Sequence, residues 1–221
     1  FSDLAELWLT SFAQSVKEST LAHYQYTLHK YLLPVLGSLQ VTGLTDSLLE
    51  RLFLQILSPQ DKSHKPLGAS SAQECLGLLK RICKYAAHLH LMPPIELCIK
   101  LPRTKKSEPQ PLSRVEQASL RDFLLAEPTT RKVGMLLQME LGLRIGEVSG
   151  LQWGDFDMNA GVLVIQRTVC RISCGDGHTK VVVQTAKTKS SNREIPLPKS
   201  FVKLLRKLRG NASDATWFLS G

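Results

Sequence analysis

Leu141-Gly142-Leu143-Arg144-Ile145-Gly146-Glu147-Val148-Ser149-Gly150-Leu151-Gln152-Trp153-Gly154-Asp155-Phe156-Asp157 is the stretch on which the reading of this chain turns. Just before it, Val133, Leu136, Leu137 and Leu141 recur at helical spacing, and the run stops at Gly142, a residue that tolerates the left-handed conformation closing many helices. A short helix is expected to restart at once, with Ile145, Val148 and Leu151 on one side and Arg144 and Glu147, three apart, on the other. The spacing predicts a charged pair pointing out of an apolar platform, with Glu147 holding the guanidinium in place. A guanidinium stays charged and can grip two oxygens of a phosphate as charge builds on it in a transition state. The same pair could be an ordinary surface ion pair worth a few tenths of a kcal/mol. The whole string argues for chemistry, with its glycine stop, apolar face and Trp-x-Asp-Phe-Asp continuation.

Beyond Asp157 the pattern changes to strands over Val162 to Val169, Val181 to Thr185 and Arg193 to Leu197, with a turn around Gly175-Asp176-Gly177. Phe201, Leu204, Leu205 and Leu208 mark one more helix, whose Lys199, Lys203, Arg206, Lys207 and Arg209 read as a solvated face as readily as a binding one. Thr216 to Gly221 reads as a short strand cut off in mid-domain, and the absence of an initiator methionine at Phe1 suggests residues missing at the start.

The first hundred residues read as a helical bundle. One helix carries Leu4, Leu7, Trp8 and Phe12. A second places Leu21, Tyr24, Leu28 and Tyr31 on one face, leaves Thr20, His23, Thr27 and Lys30 on the other, and ends near Pro34 and Gly37. A third, after Thr45-Asp46, holds Leu48, Leu49, Leu52, Phe53 and Ile56. A loop over about residues 58 to 69 leads to a fourth with Ala72, Leu76, Leu79, Cys83 and Ala86 inward and Lys80, Lys84 and His88 outward. Residues 101–111, with three prolines and scattered charge, read as a linker between a domain over 1–100 and a second over 112–221. Ser113-Arg114-Val115-Glu116 then has the form of a capping box opening a helix to about Ala126.

With 221 residues, 43% of them hydrophobic, the chain can bury two cores. The net charge of +9 favours polyanions. Residues 1–100 hold 9 Lys and Arg against 8 Asp and Glu, whereas 101–221 hold 19 against 11, so the pull sits beside the arginine stretch. Five cysteines, an odd number with no CxxC, argue against a disulfide framework, and Cys170, Cys174 and His178 lack a fourth ligand and the usual spacing for zinc. No metal or cofactor is expected. No apolar run approaches the roughly 20 residues that cross a bilayer and no signal peptide opens the chain, so a cytosolic protein is the default.

The stretch from Leu141 to Asp157 resembles the first active-site arginine box of the tyrosine recombinase (phage integrase) family, which cuts and rejoins DNA without metal or nucleotide energy. Thr185-Ala186-Lys187-Thr188-Lys189-Ser190-Ser191-Asn192-Arg193-Glu194-Ile195-Pro196 resembles the lysine-bearing hairpin that follows that box in the family. The resemblance implies a mostly α fold with a small antiparallel sheet: a helical SAM-like core-binding domain, then an α+β catalytic domain incomplete at its end. It implies Arg144, Glu147 and Lys187 as catalytic residues, Lys187 protonating the departing 5′ oxygen as general acid, with Lys189 the competing assignment. Thr20, His23, Thr27, Lys30, Lys80, Lys84 and His88, with Lys189 and Arg193, are the residues it would turn toward double-stranded DNA. The family assembles as tetramers on DNA. Its later His-x-x-Arg segment and its nucleophilic tyrosine have no counterpart here, since Tyr24, Tyr26, Tyr31 and Tyr85 all lie in the first half. The expectation is therefore a recombinase of a mobile element, represented by a chain that binds DNA without cleaving it. A non-catalytic DNA-binding accessory protein, or a decayed relative on the same scaffold, is the alternative. A helical protein-interaction module would leave the lopsided charge and the arginine box unexplained.

Overall fold

The computed structural model describes residues 1–57, 66–101, 109–174, 178–185 and 192–219. Its contacts divide into two units: Phe1–Glu108 with Ile172–Thr179, and Pro109–Arg171 with Lys180–Gly221. No helix among the described residues is long and apolar enough to cross a membrane.

In the first unit, α1 (Ser2–Ala13) buries Leu4, Ala5, Trp8 and Leu9. Leu7, expected inside, is instead exposed, because the buried stripe runs through Leu4, Ala5, Trp8 and Leu9, and Leu7 stands about 100° round the helix from Trp8, away from that stripe. The second rod comprises α2 (Glu18–Thr27), a π-helical turn over Leu28–Leu32 and α3 (Leu33–Leu36). Closing that turn, the amide of Leu33 donates to the carbonyl of Leu28. The extra residue per turn shifts the helical phase, so Leu28, Leu32 and Leu36 form the fully buried ridge and Tyr31 stays half-buried. Thr27, expected on the outer face, is buried; it lies where α5 packs over α2, beside Leu78.

Two further helices complete this core. α4 (Asp46–Leu57) contributes Leu49, Phe53 and Ile56, and α5 (Ala69–His88) contributes Ala72, Cys75, Leu76, Leu78, Leu79, Ile82, Cys83 and Ala86. Lys80, Lys84 and His88 are exposed on the opposite side of α5, as the spacing predicts.

The second unit opens with α6 (Arg114–Ala126). Ser113 Oγ accepts from the amide of Glu116, and the Glu116 carboxylate accepts from the amide of Ser113 at 2.8 Å, the reciprocal cap read from the sequence. α7 (Thr130–Leu141) buries Val133, Leu136 and Leu137, and ends at Gly142 with φ +68°. α8 (Ile145–Ser149) follows, then a 3-10 turn over Trp153–Asp155 and the strands β1 (Phe156–Asp157) and β2 (Val162–Ile165). Strands β3 (Arg167–Ser173), β4 (Thr179–Thr185) and β5 (Arg193–Pro196) come next, and α9 (Lys199–Arg209) last.

Strand β2 lies between β1 and β5, antiparallel to both, with Leu163 opposite Phe156 on one side and Ile195 on the other. β3 and β4 form a separate two-stranded sheet. The single strand expected from Val162 to Val169 is thus broken at Gln166, whose side-chain amide turns aside to donate to Asp155 Oδ1 at 2.6 Å. Among the described residues the expected terminal strand is a bridge between Trp217 and Gln152, beside which Phe218 donates its amide to the carbonyl of Leu151 at 2.8 Å. Phe218 is fully buried against Trp153 and Phe156, with ring centroids 5.1 and 5.2 Å away.

Candidate functional site

The left-handed turn at Gly142 ends α7 and sends Leu143 into the core, so the next residue emerges at the surface. Arg144 has extended backbone and caps α8 rather than belonging to it. That alters the expected faces. Val148 and Leu151 are buried, but Ile145 is 74% exposed, because the helix begins at Ile145 and only its third and later residues reach the core.

Glu147, expected to point outward beside Arg144, is 6% exposed. At the third helical position its carboxylate folds back beneath the helix start, where Oε2 accepts from the backbone amide of Arg144 at 2.9 Å. Oε1 also accepts from Nη1 of Arg144 at 3.0 Å. Arg193, on β5, then closes a two-pronged contact: Nη1 donates to Oε1 and Nη2 to Oε2, both at 2.9 Å. Two arginines therefore share one buried carboxylate. Arg193 holds the Glu147 carboxyl at about pKa 2 against the strong opposing effect of burial, with the Arg144 amide and guanidinium assisting; Glu147 in turn raises the pKa of Arg193.

The Arg144 side chain is 76% exposed while its anchor is buried, so a charged fork stands at the surface on a fixed base. Arg193, expected as a DNA contact, is only 29% exposed at its side chain and spends two donors on Glu147. The sequence reading missed this partnership because 46 residues separate the two.

The arginine stretch sits close to β3 because it contains glycines. A Cβ at Gly146 would lie 2.4 Å from Thr168 Oγ1 and 3.0 Å from the carbonyl oxygen of Val169; one at Gly150 would lie 3.1 Å from the carbonyl oxygen of Arg167. Arg167 reaches back with Nη1 to Asp155 Oδ2 at 2.6 Å and to the carbonyl of Gly150 at 3.2 Å. Asp155 is 3% exposed and accepts from the amide of Gln152 as well, so the aspartate of the Trp-x-Asp-Phe continuation is a buried strut. The four-residue spacing of Gly146 and Gly150 was the one local signal that a backbone approaches here.

Lys187 and Lys189 lie outside the described residues. In the first unit, His23 is exposed and within 3.2 Å of Glu74, Thr20 is half-buried and Thr27 is buried. These three line a cleft of about 480 Å³ with Ser70, Gln73 and Arg81. Lys30 is exposed, hydrogen-bonded to the Tyr26 hydroxyl, and lies 4.9 and 5.3 Å from the ring centres of Tyr26 and Tyr31; those hydroxyls raise its pKa. Among the described residues no group of three or more His, Cys, Asp or Glu is arranged to hold a metal ion, and all five cysteines are free thiols.

Residues 1–58 match the family model described as phage integrase, N-terminal SAM-like domain. Over 228 residues the chain is 27% identical to a tyrosine recombinase XerC-like protein of Caldanaerobacter subterraneus subsp. tengcongensis, covering 96% of this chain and 56% of that protein. It is also 27% identical over 161 residues to the integrase of Staphylococcus phage L54a, covering 63% of this chain and 44% of that one. The chain thus spans about half the length of the curated relatives it matches. Among solved structures it is similar to the Tn1549 transposon integrase in complex with circular intermediate DNA, with a TM-score of 0.72 at 17% identity over 99% of this chain and 71% of that one, a likeness of fold. The helical first unit and the second unit of helices and small antiparallel sheets agree with these matches, and the chain is similar to members of the tyrosine recombinase (phage integrase) family.

Proposed function

We propose that this chain binds double-stranded DNA and serves site-specific recombination as part of a tyrosine recombinase. In this reading residues 1–100 are the core-binding domain and 112–221 belong to the catalytic domain, joined by the linker over 101–111. The observation that carries the reading is the Arg144 guanidinium, exposed at the surface yet tied to a buried carboxylate. Such a group meets a phosphate with its position already set, so little ordering cost remains when charge develops on the phosphoryl oxygens. Glu147 is the positioning base of that arrangement. Lys187 supplies the proton to the departing 5′ oxygen, and Thr20, His23, Lys30, Lys80, Lys84 and His88 grip phosphates and base edges. Thr27 is withdrawn from that set, because it is buried.

The attacking tyrosine of the family reaction is none of Tyr24, Tyr26, Tyr31 and Tyr85. Tyr24 is packed in the first unit against Trp8 and Phe12, and Tyr26 is engaged with Lys30. The chain therefore binds DNA without forming a 3′-phosphotyrosine link. Several copies assemble on one DNA, four in the complete reaction.

Fluorescence anisotropy on a 30-base-pair duplex tests this. Binding is expected to weaken steeply with salt, and Arg144→Ala to lower the slope of log K against log salt by about 1. Incubation with a nicked duplex is expected to yield no adduct that survives detergent. Absence of salt-dependent binding, or a covalent adduct, would overturn the proposal.

A further inference from the structure

Arg193 comes from β5, and 46 residues separate it from Glu147, yet it holds both oxygens of the carboxylate on which Arg144 rests. A carboxylate accepting from one arginine alone can swing about its terminal bonds; a planar fork on both oxygens removes that rotation and sets the plane. With Glu147 fixed, Oε1 stays 3.0 Å from Nη1 of Arg144 and Oε2 stays 2.9 Å from the Arg144 amide, so side chain and backbone of the exposed arginine are located together. β5 is also the strand that follows the Lys187 segment, six residues downstream of that lysine, and it is joined to β2 in register from Arg193 opposite Ile165 to Pro196 opposite Val162.

We propose that Arg193 is a positioning residue that fixes Glu147, and through it Arg144. This rests on the reading of Arg144 as the phosphate-binding residue. Arg193 touches no phosphate itself. The competing role, a direct DNA contact, is what the sequence alone led one to expect.

A double-mutant comparison separates the two roles. On the 30-base-pair duplex, Arg144→Ala, Arg193→Gln and the double variant are compared by anisotropy across a salt series. If Arg193 acts through Arg144, Arg193→Gln lowers the salt slope by up to about 1 and the double variant shows no loss beyond Arg144→Ala. If Arg193 contacts phosphate independently, the losses add to about 2 and the proposal is overturned.

A second readout does not depend on DNA. In ¹⁵N and ¹³C NMR spectra of the free chain, the Arg144 Nε–H signal is expected to be ordered in the parent, mobile in Arg193→Gln and partly restored in Arg193→Lys. The Glu147 carboxyl carbon is expected to begin titrating at higher pH in Arg193→Gln. An unchanged Arg144 signal in a folded Arg193→Gln or Arg193→Lys variant refutes the positioning role. If the parent fails to bind DNA while the NMR changes occur, the functional reading has failed and the positioning role stands.

Discussion

Replacing Glu147 by glutamine keeps the shape of the side chain and removes its charge. Four hydrogen bonds converge on that carboxylate: the amide and Nη1 of Arg144, and Nη1 and Nη2 of Arg193. Arg193 holds the Glu147 pKa at about 2, against 4.5 for a glutamate without partners. At about 1.4 kcal/mol per pH unit, that depression corresponds to about 3 kcal/mol of folding stability at neutral pH. Because the folded pKa lies below the unfolded one, this contribution is complete above pH 4.5 and drains away as pH falls toward 2. Breaking a buried ion pair by removing one partner costs about 3–5 kcal/mol in other proteins, and the 29% exposure of the Arg193 side chain places this case at the lower end.

Urea unfolding at pH 7, followed through the amide signals of the second unit with the first unit as internal reference, should therefore show Glu147→Gln less stable by about 3 kcal/mol. At pH 3 the difference should shrink to about 1 kcal/mol, since the parent has lost most of the advantage. A gap below about 1 kcal/mol at pH 7, or one of equal size at both pH values, would refute the account of Glu147 as a held carboxylate.

Two glycines should respond in opposite directions to the same substitution. Gly146→Ala drives a methyl toward Thr168 Oγ1 and the Val169 carbonyl and should cost about 1–3 kcal/mol in urea melts, whereas Gly77→Ala in mid-α5 meets nothing within 4 Å and should add about 0.5–1 kcal/mol. Equal effects would contradict the close approach of β3 to α8. The thiols of Cys75 and Cys83, raised by burial to about pKa 11, should resist iodoacetamide at pH 8 while the exposed Cys98 and Cys174 react. Peptide mass spectrometry on the native chain reads this directly, and labelling of Cys75 or Cys83 at the rate of Cys98 would contradict the packing of α5.

Where local chemistry suffices, the residues announced the structure. The Ser113–Glu116 cap, the left-handed stop at Gly142 and the inward face of α5 are each decided by atoms within a turn or two of chain. Departures arise where one element is shaped by another. The π-helical turn at Leu28–Leu32 moves the buried ridge to Leu32 and Leu36, and α5 covers Thr27, so a face drawn at constant period exposes the wrong threonine. Gln166 leaves its strand to serve Asp155, which no strand propensity registers.

At the candidate site the division is sharper. That a glycine stop brings an arginine out of an apolar helix end is legible in residue order alone, because the left-handed turn at Gly142 and the apolar spacing of Val148 and Leu151 follow from residue type. The burial of Glu147 and the grip of Arg193 on it from β5 arise from packing between distant segments. A carboxylate can leave water only when charged donors surround it, and those donors converge only once β5 has paired with β2 and brought residue 193 to residue 147.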